Sequence, residues 1–262
     1  MSAPTSAGVD VTCGYAGLRF LIAGGASGIG LAVARLALAR GARVALLDRD
    51  ADALSQALQG LGASASGQGC EVADPAAVAP AVDHAAQQLG GLDVVVNCAG
   101  IDLRAPLEQV SDADWARLLA VNLTGTMLVC RAAVPHLRHA GGGAIVNVSS
   151  AAGLTPLLHR TAYCASKAGV IMFGKALAME LAADGIRVNA VCPGAVDTPL
   201  FRTSYEASAD PEADLELIRQ RYALRRVAQP EELAEAVLYL GGPAASYITG
   251  TTLAVDGGRS FH

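Results

Sequence analysis

From Leu18 onward, short apolar runs alternate with longer Ala- and Leu-rich stretches of helical period, and that alternation leaves the chain few architectures. Seven runs read as strands: Arg19–Ala23, Arg43–Asp48, Gly69–Val72, Asp93–Asn97, Ala144–Ser149, Arg187–Cys192 and Thr252–Val255. Several are apolar without alternation, as expected of strands covered on both faces of a parallel sheet. Between them the spacing predicts helices over Gly28–Ala39, Ala51–Leu58, Pro75–Leu89, Asp112–Arg138, Tyr163–Ala183 and Pro230–Leu240. Ser111 and Asp74 stand where N-caps are needed, the latter ahead of Pro75. Strands alternating with helices require right-handed crossovers and helices on both sides of one sheet. The expectation is a single α/β domain over 18–262, a doubly wound parallel sheet of about seven strands. Residues 1–17 read as a flexible leader. The connection over 199–223 is too long for a simple link and reads as a substrate lid.

Composition agrees. The chain is 52% hydrophobic and 16% charged, which excludes a disordered or coiled-coil chain. Aromatics are only 4%, so Ala, Val, Leu and Ile must fill the core. No run of about 18 uncharged apolar residues appears, so no membrane association is expected. A net charge of −5 argues against a nucleic-acid partner. The six cysteines are scattered without a C-x-x-C pair, which fits free thiols in a reducing cytoplasm. The leader has neither the basic nor the apolar segment of a secretory signal. No cluster has metal-ligand spacing, and His136 and His139 read as a helix end, so no metal is expected. Arg219, Arg221, Arg225 and Arg226 form the densest basic stretch, readable as a solvated face, a subunit contact or an anion-binding lid.

The first strand runs into Gly24-x-x-x-Gly28-Ile29-Gly30, with Ser27 inside the turn and a helix following at once. Glycines let such a backbone turn sharply and approach a pyrophosphate, which the helix N-terminus then stabilises. At the start of a βαβ unit this marks a Rossmann-like nucleotide site. Eighteen residues past Gly30, Asp48 ends the second strand. A carboxylate there accepts hydrogen bonds from ribose hydroxyls and repels a 2′-phosphate, favouring NAD over NADP. Asp48 could instead be a turn residue or a helix cap, and Arg49 beside it suits a 2′-phosphate.

Tyr163 and Lys167 lie four residues apart, hence on one helix face. A cation beside a phenol favours phenolate and makes tyrosine a usable base. Such pairs also occur on helices with no chemical role. Lysine fills only two of the 19 basic positions, Lys167 and Lys175, a weak sign that a compact ammonium is wanted here.

With these residues in place, the chain from Leu18 to Gly258 resembles the short-chain dehydrogenase/reductase family. The resemblance rests on the glycine turn, on Asn97-Cys98-Ala99-Gly100 after the fourth strand, and on Asn122. It rests also on Ser150 thirteen residues before Tyr163, on Pro193-Gly194 with Thr198, and on Val255-Asp256-Gly257-Gly258. It implies that Tyr163 exchanges a proton with the substrate oxygen while hydride passes to or from the nicotinamide. It further implies that Lys167 lowers the tyrosine pKa and binds the nicotinamide ribose, that Ser150 binds the reacting oxygen, and that Asn122 holds a relay water. Cofactor contacts are then expected at Gly24, Ser27, Gly28, Ile29, Gly30, Asp48 and Arg49, followed by Glu71 and Val72. Further along they fall on Asn97, Ala99 and Gly100, on Tyr163 and Lys167, and on Pro193, Gly194, Val196 and Thr198. A homotetramer is implied, with Thr252–Ser260 near a subunit interface. Three positions depart from the family pattern: Ala23 replaces a threonine, Glu71 an aspartate, and Cys98 an asparagine, which exposes the cleft to oxidation.

Ligands of this fold lie at the carboxyl ends of the strands. Asp102, Ser150, Ala152, His159, Tyr163, Ala195, Leu200 and Phe201 are expected to face the substrate. Ala152, Ala195, Leu200 and Phe201 among them are apolar, which suits a hydrophobic or cyclic secondary alcohol and its ketone. An NADPH-dependent 3-oxoacyl reductase is the alternative enzyme, and a non-catalytic nucleotide-sensing protein the alternative class.

Overall fold

A computed structural model describes residues 14–206 and 208–261. The elements in chain order are β1 Arg19–Ala23, α1 Gly28–Ala39, β2 Arg43–Asp48, α2 Ala51–Leu61, β3 Ala65–Gly69, α3 Pro75–Leu89, β4 Val94–Asn97, α4 Asp112–Leu119 and α5 Gly125–His139. They continue with β5 Gly143–Val148, α6 Thr161–Leu181, β6 Ile186–Pro193, α7 Pro199–Arg202, α8 Pro211–Arg219, α9 Pro230–Gly241 and β7 Thr252–Val255. The seven strands form one sheet in the order β3-β2-β1-β4-β5-β6-β7, every pair parallel. This is the expected Rossmann fold. Chain direction across the sheet reverses between β1 and β4, so the crevice beyond those strand ends is where a ligand belongs.

Each sheet face has its own core. One packs Val78, Val82, Val129, Leu137 and Leu181 over the sheet; the other packs Val33, Ala37, Leu233 and Val237. Small side chains let the helices sit close, which is why so few aromatics suffice. The helical run 112–139 is long and apolar enough by composition to cross a bilayer, but half of that stretch is buried inside this fold.

Two elements differ from expectation. Strand β3 lies at Ala65–Gly69 and not at Gly69–Val72. It is an edge strand, paired only with β2, so its small and polar ASGQG sequence lacks the apolar mark of a buried strand. The long helix expected over 112–138 is interrupted by a π turn at Ala120–Thr124, centred on Asn122. Of the expected leader, residues 1–13 lie outside the described residues. Tyr15 is buried, and its hydroxyl donates to the Leu238 carbonyl at 2.9 Å.

Candidate active site

The glycine turn is built for close backbone approach. Gly24 has φ 73°, and its N–H donates to the Leu47 carbonyl at 2.8 Å. A Cβ on Gly24 would lie 2.5 Å from the Ala99 nitrogen, and one on Gly30 would lie 2.1 Å from the Gly24 oxygen. Side chains are therefore excluded at both positions. Ser27 is exposed at the N-cap of α1, and its hydroxyl is not used for capping. The free N–H groups of the first helical turn give this end a positive character.

Gly24, Ser27, Gly28, Ile29 and Gly30 line a cavity that continues past Asp48, Arg49, Glu71 and Val72, with Ala99 and Gly100 on its other side. The Asp48 carboxylate accepts from Ala26 N at 3.0 Å and Asp50 N at 3.2 Å, which ties the end of β2 to the turn. Arg49 faces Glu71 across 3.7 Å. A cradle without side chains, a helix N-terminus and a fixed acidic group together fit a dinucleotide.

A second cavity adjoins the first, and both share Ile29, Cys98, Gly100, Thr198 and Leu200 in their walls. It measures about 180 Å³ and brings together Ser150, Tyr163 and Lys167. The backbone places them there in sequence. Strand β5 delivers Ser150 past its end, where the hydroxyl accepts from Ala152 N at 3.1 Å. Helix α6 brings Tyr163 and Lys167 back over the strand ends, and the Ser149 hydroxyl ties down the Lys167 carbonyl at 2.8 Å. Lys167 is only 5% exposed, and its Nζ donates to the Val148 carbonyl at 3.1 Å. Burial pushes the ammonium down to about 8. Burial likewise pushes the Tyr163 phenol up to about 12; the Asp102 carboxylate adds to this, while the Ser150 hydroxyl and Arg160 oppose it.

Asn122 is fully buried at the π turn. Its Nδ2 donates to the Ile101 carbonyl at 2.9 Å and to Ser166 Oγ at 3.1 Å, while its Oδ1 accepts from Ile101 N at 2.8 Å. Such turns inside helices recur at functional positions. A Cβ on Gly100 would sit 3.4 Å from both Asn122 Oδ1 and Lys167 Nζ, so the bare glycine leaves a gap bordered by both polar atoms.

Of the other expected residues, Pro193, Gly194, Val196 and Thr198 line the Tyr163 cavity. So do Asp102, Ala152, Ala195, Leu200 and Phe201. Three expected residues line neither cavity: the fully buried Asn122, whose hydrogen bonds are given above, and Asn97 and His159. Asn97 points into the protein, donating to Asn147 Oδ1 at 2.9 Å and to Cys130 Sγ at 3.3 Å. Side chains alternate along a strand, so its neighbour Cys98 faces the cleft instead. His159 is exposed in a left-handed backbone conformation, φ 59°, with its carbonyl held by Ala105 N at 2.9 Å. The expected oxidation sensitivity of Cys98 meets an obstacle, because burial pushes its thiol up to about 12 and thiolate is scarce. Unforeseen wall residues include Arg160, Ser204, Ile218, Tyr222 and Arg259, and Arg221 joins them from the basic stretch for which an anion-binding lid is one reading. Arg160 pairs with Asp102 at 2.8 Å. These residues gather from four separate segments, and apart from Arg221 no local pattern marks them.

Comparison with known proteins agrees with this geometry. The family model described as enoyl-(acyl carrier protein) reductase matches residues 24–260. The chain is 43% identical over 241 residues to the cis-4-hydroxycyclohexanecarboxylate dehydrogenase of Sinomonas cyclohexanicum, covering 91% of this chain and 94% of that one. It is 40% identical over 244 residues to the D-threitol dehydrogenase of Mycolicibacterium smegmatis, covering 92% of each. A crystal structure of a variant actinorhodin polyketide ketoreductase with NADPH superimposes with a TM-score of 0.90 at 35% identity, covering 94% of this chain and 98% of that one. With its relatives acting on alcohols and ketones, the chain belongs to the short-chain dehydrogenase/reductase family of nicotinamide-dependent oxidoreductases.

Proposed function

We propose that this enzyme is an NAD(H)-dependent dehydrogenase/reductase of a small secondary alcohol and its ketone, with Tyr163 as general acid and base. The observation that carries the reading is the shared cavity of Tyr163, Ser150 and Lys167, opening onto the glycine turn. The nicotinamide, when bound, accepts or donates the hydride and in its oxidised form brings positive charge beside the phenol. The Ser150 hydroxyl holds the reacting oxygen while it accepts from Ala152 N. Tyr163 takes the hydroxyl proton in oxidation and returns it in reduction. Lys167, desolvated and anchored on Val148, favours phenolate by its charge and lies close enough to Asn122 to share a proton-relay water at Gly100. Asn122 shapes that corner by holding both polar groups of Ile101. The 199–223 segment, with α7 and α8, serves as the lid.

For the cofactor, Asp48 supports NAD. Its oxygens are oriented by two N–H groups yet keep lone pairs for ribose hydroxyls. A second reading, NADPH-dependent reduction of a 3-oxoacyl substrate, draws on Arg49 and on the NADPH of the ketoreductase structure. The Arg49–Glu71 pair weighs against it by occupying the arginine with an acid. The proposal extends to a cytoplasmic homotetramer. It is supported by free cysteines at positions 70, 98, 130, 164 and 192, and by exposed Met172, Met179 and Tyr247 on the surface.

A panel of secondary alcohols with NAD at mildly alkaline pH, followed by NADH absorbance, tests the reading. Turnover of at least one alcohol, with NADP much weaker, is expected. Silence from every alcohol and every reverse ketone assay would return the chain to nucleotide sensing.

A further inference from the structure

The cavity beside Tyr163 carries positive charge for which alcohol oxidation alone has no use. Three arginines line it: Arg160, Arg221 and Arg259. Arg160 is answered by Asp102. Among the described residues, neither Arg221 nor Arg259 has an ion-pair partner, and the Arg259 Nε is buried without a hydrogen-bond acceptor. Their neighbours in sequence differ. Arg219 pairs with Glu212 at 3.0 Å, Arg226 with Glu232 at 2.7 Å, and Arg225 donates to the Gln220 carbonyl at 3.0 Å. Of the four clustered arginines, only Arg221 reaches the cavity wall.

The two unanswered arginines come from distant segments that the fold fastens together. Leu224 N donates to the Gly257 carbonyl at 3.1 Å. A Cβ on Gly258 would lie 2.6 Å from the Ala223 Cβ, so the C-terminal segment sits directly on the end of the lid. Tyr222 packs between them: its ring would meet a Cβ on Gly194 at 2.6 Å and one on Gly257 at 3.7 Å. Both arginines act on the Tyr222 phenol through their charge. Asp256, the acid closest in sequence to Arg259, spends its oxygens on Gly258 N at 3.0 Å and Ser260 N at 2.9 Å. Arg259 is half-buried and Arg221 exposed at the cavity's rim, so an anion entering there would meet two guanidinium groups with no acid among the described residues paired to either.

We infer that the substrate carries a carboxylate, held by Arg221 and Arg259 at the lid end of the cavity while its carbinol carbon faces Tyr163. This rests on the proposal that the Tyr163 cavity is the substrate site. Ala152, Leu157, Phe201 and Ile218 line the space between and suit an aliphatic or alicyclic spacer. The substrate is then a hydroxy acid and the product the oxo acid. Hydride leaves the carbinol carbon for NAD, the hydroxyl proton goes to Tyr163, and the carboxylate is unchanged.

Steady-state kinetics on 3-, 4- and 5-hydroxy acids, linear and alicyclic, each beside its own carboxamide, tests this. The wild type should favour acid over amide in kcat/KM by about ten- to a hundredfold, as expected of hydrogen bonds to a charged group. The preference should collapse toward unity when Arg221→Gln and Arg259→Gln are combined, and persist in Arg219→Gln. Equal use of acid and amide by the wild type, or a preference that survives the double substitution, overturns the carboxylate site and leaves the dehydrogenase reading standing. Silence from both series and from neutral alcohols overturns that reading, and this one with it.

Discussion

Lys167 Nζ stands 5.8 Å from the centre of the Tyr163 ring and donates to the Val148 carbonyl, not to the phenol. Helical spacing correctly puts the two on one face, but the expected depression of the tyrosine pKa is not delivered by the lysine alone. Without cofactor, burial dominates both groups and drives each toward its neutral form.

That burial gives the lysine a signature in stability. Its pKa falls from 10.5 unfolded to about 8 folded, so between those values the unfolded chain holds more protons. Stability therefore rises with pH across that window and is lost as pH falls through 8. Melting of wild type and Lys167→Met should show the wild type gaining roughly 3 kcal/mol relative to the variant from pH 7 to 10.5. A difference independent of pH would mean the ammonium is well solvated.

The glycines differ in what they permit. Gly24→Ala places a methyl 2.5 Å from the Ala99 nitrogen at positive φ, and should cost about 2 kcal/mol or more and weaken NADH binding. Gly60→Ala, on an exposed turn of α2 with nothing within 4 Å, should stabilise by about 0.5–1 kcal/mol. Thermal melts with NADH titrations check the pair; equal effects would deny the turn its special geometry.

Much of this arrangement is legible in the sequence because its signals are local. The β1–α1 turn needs bare glycines at fixed offsets, and strands buried on both faces show themselves as apolar runs. Edge strand β3 escaped because its small residues face few neighbours, and the buried Cys70 and Val72 beside it mimic a strand while lining a loop. Asn97 was displaced from the cofactor side by strand alternation. The π turn at Asn122 was hidden because its flanks keep helical period. Arg221, Tyr222 and Arg259 meet only through tertiary packing, so neither motif nor periodicity marks their shared wall.

At the cofactor end, Asp48→Asn keeps the shape but removes the charge that repels a 2′-phosphate. Preference for NAD over NADP in kcat/KM should shrink by about tenfold or more. Measuring Kd for NADH and NADPH on the same variants separates binding from chemistry. An unchanged ratio would leave cofactor choice to other residues.

The most direct measurement is the activity of Tyr163→Phe, taken with its affinity for NADH. The phenol lines the cavity with Ser150, and loss of a positioned general acid or base should lower kcat by about 10²–10⁴ while the Kd for NADH stays within a fewfold of wild type. Activity within about tenfold of wild type, with NADH still bound, would contradict proton transfer by Tyr163.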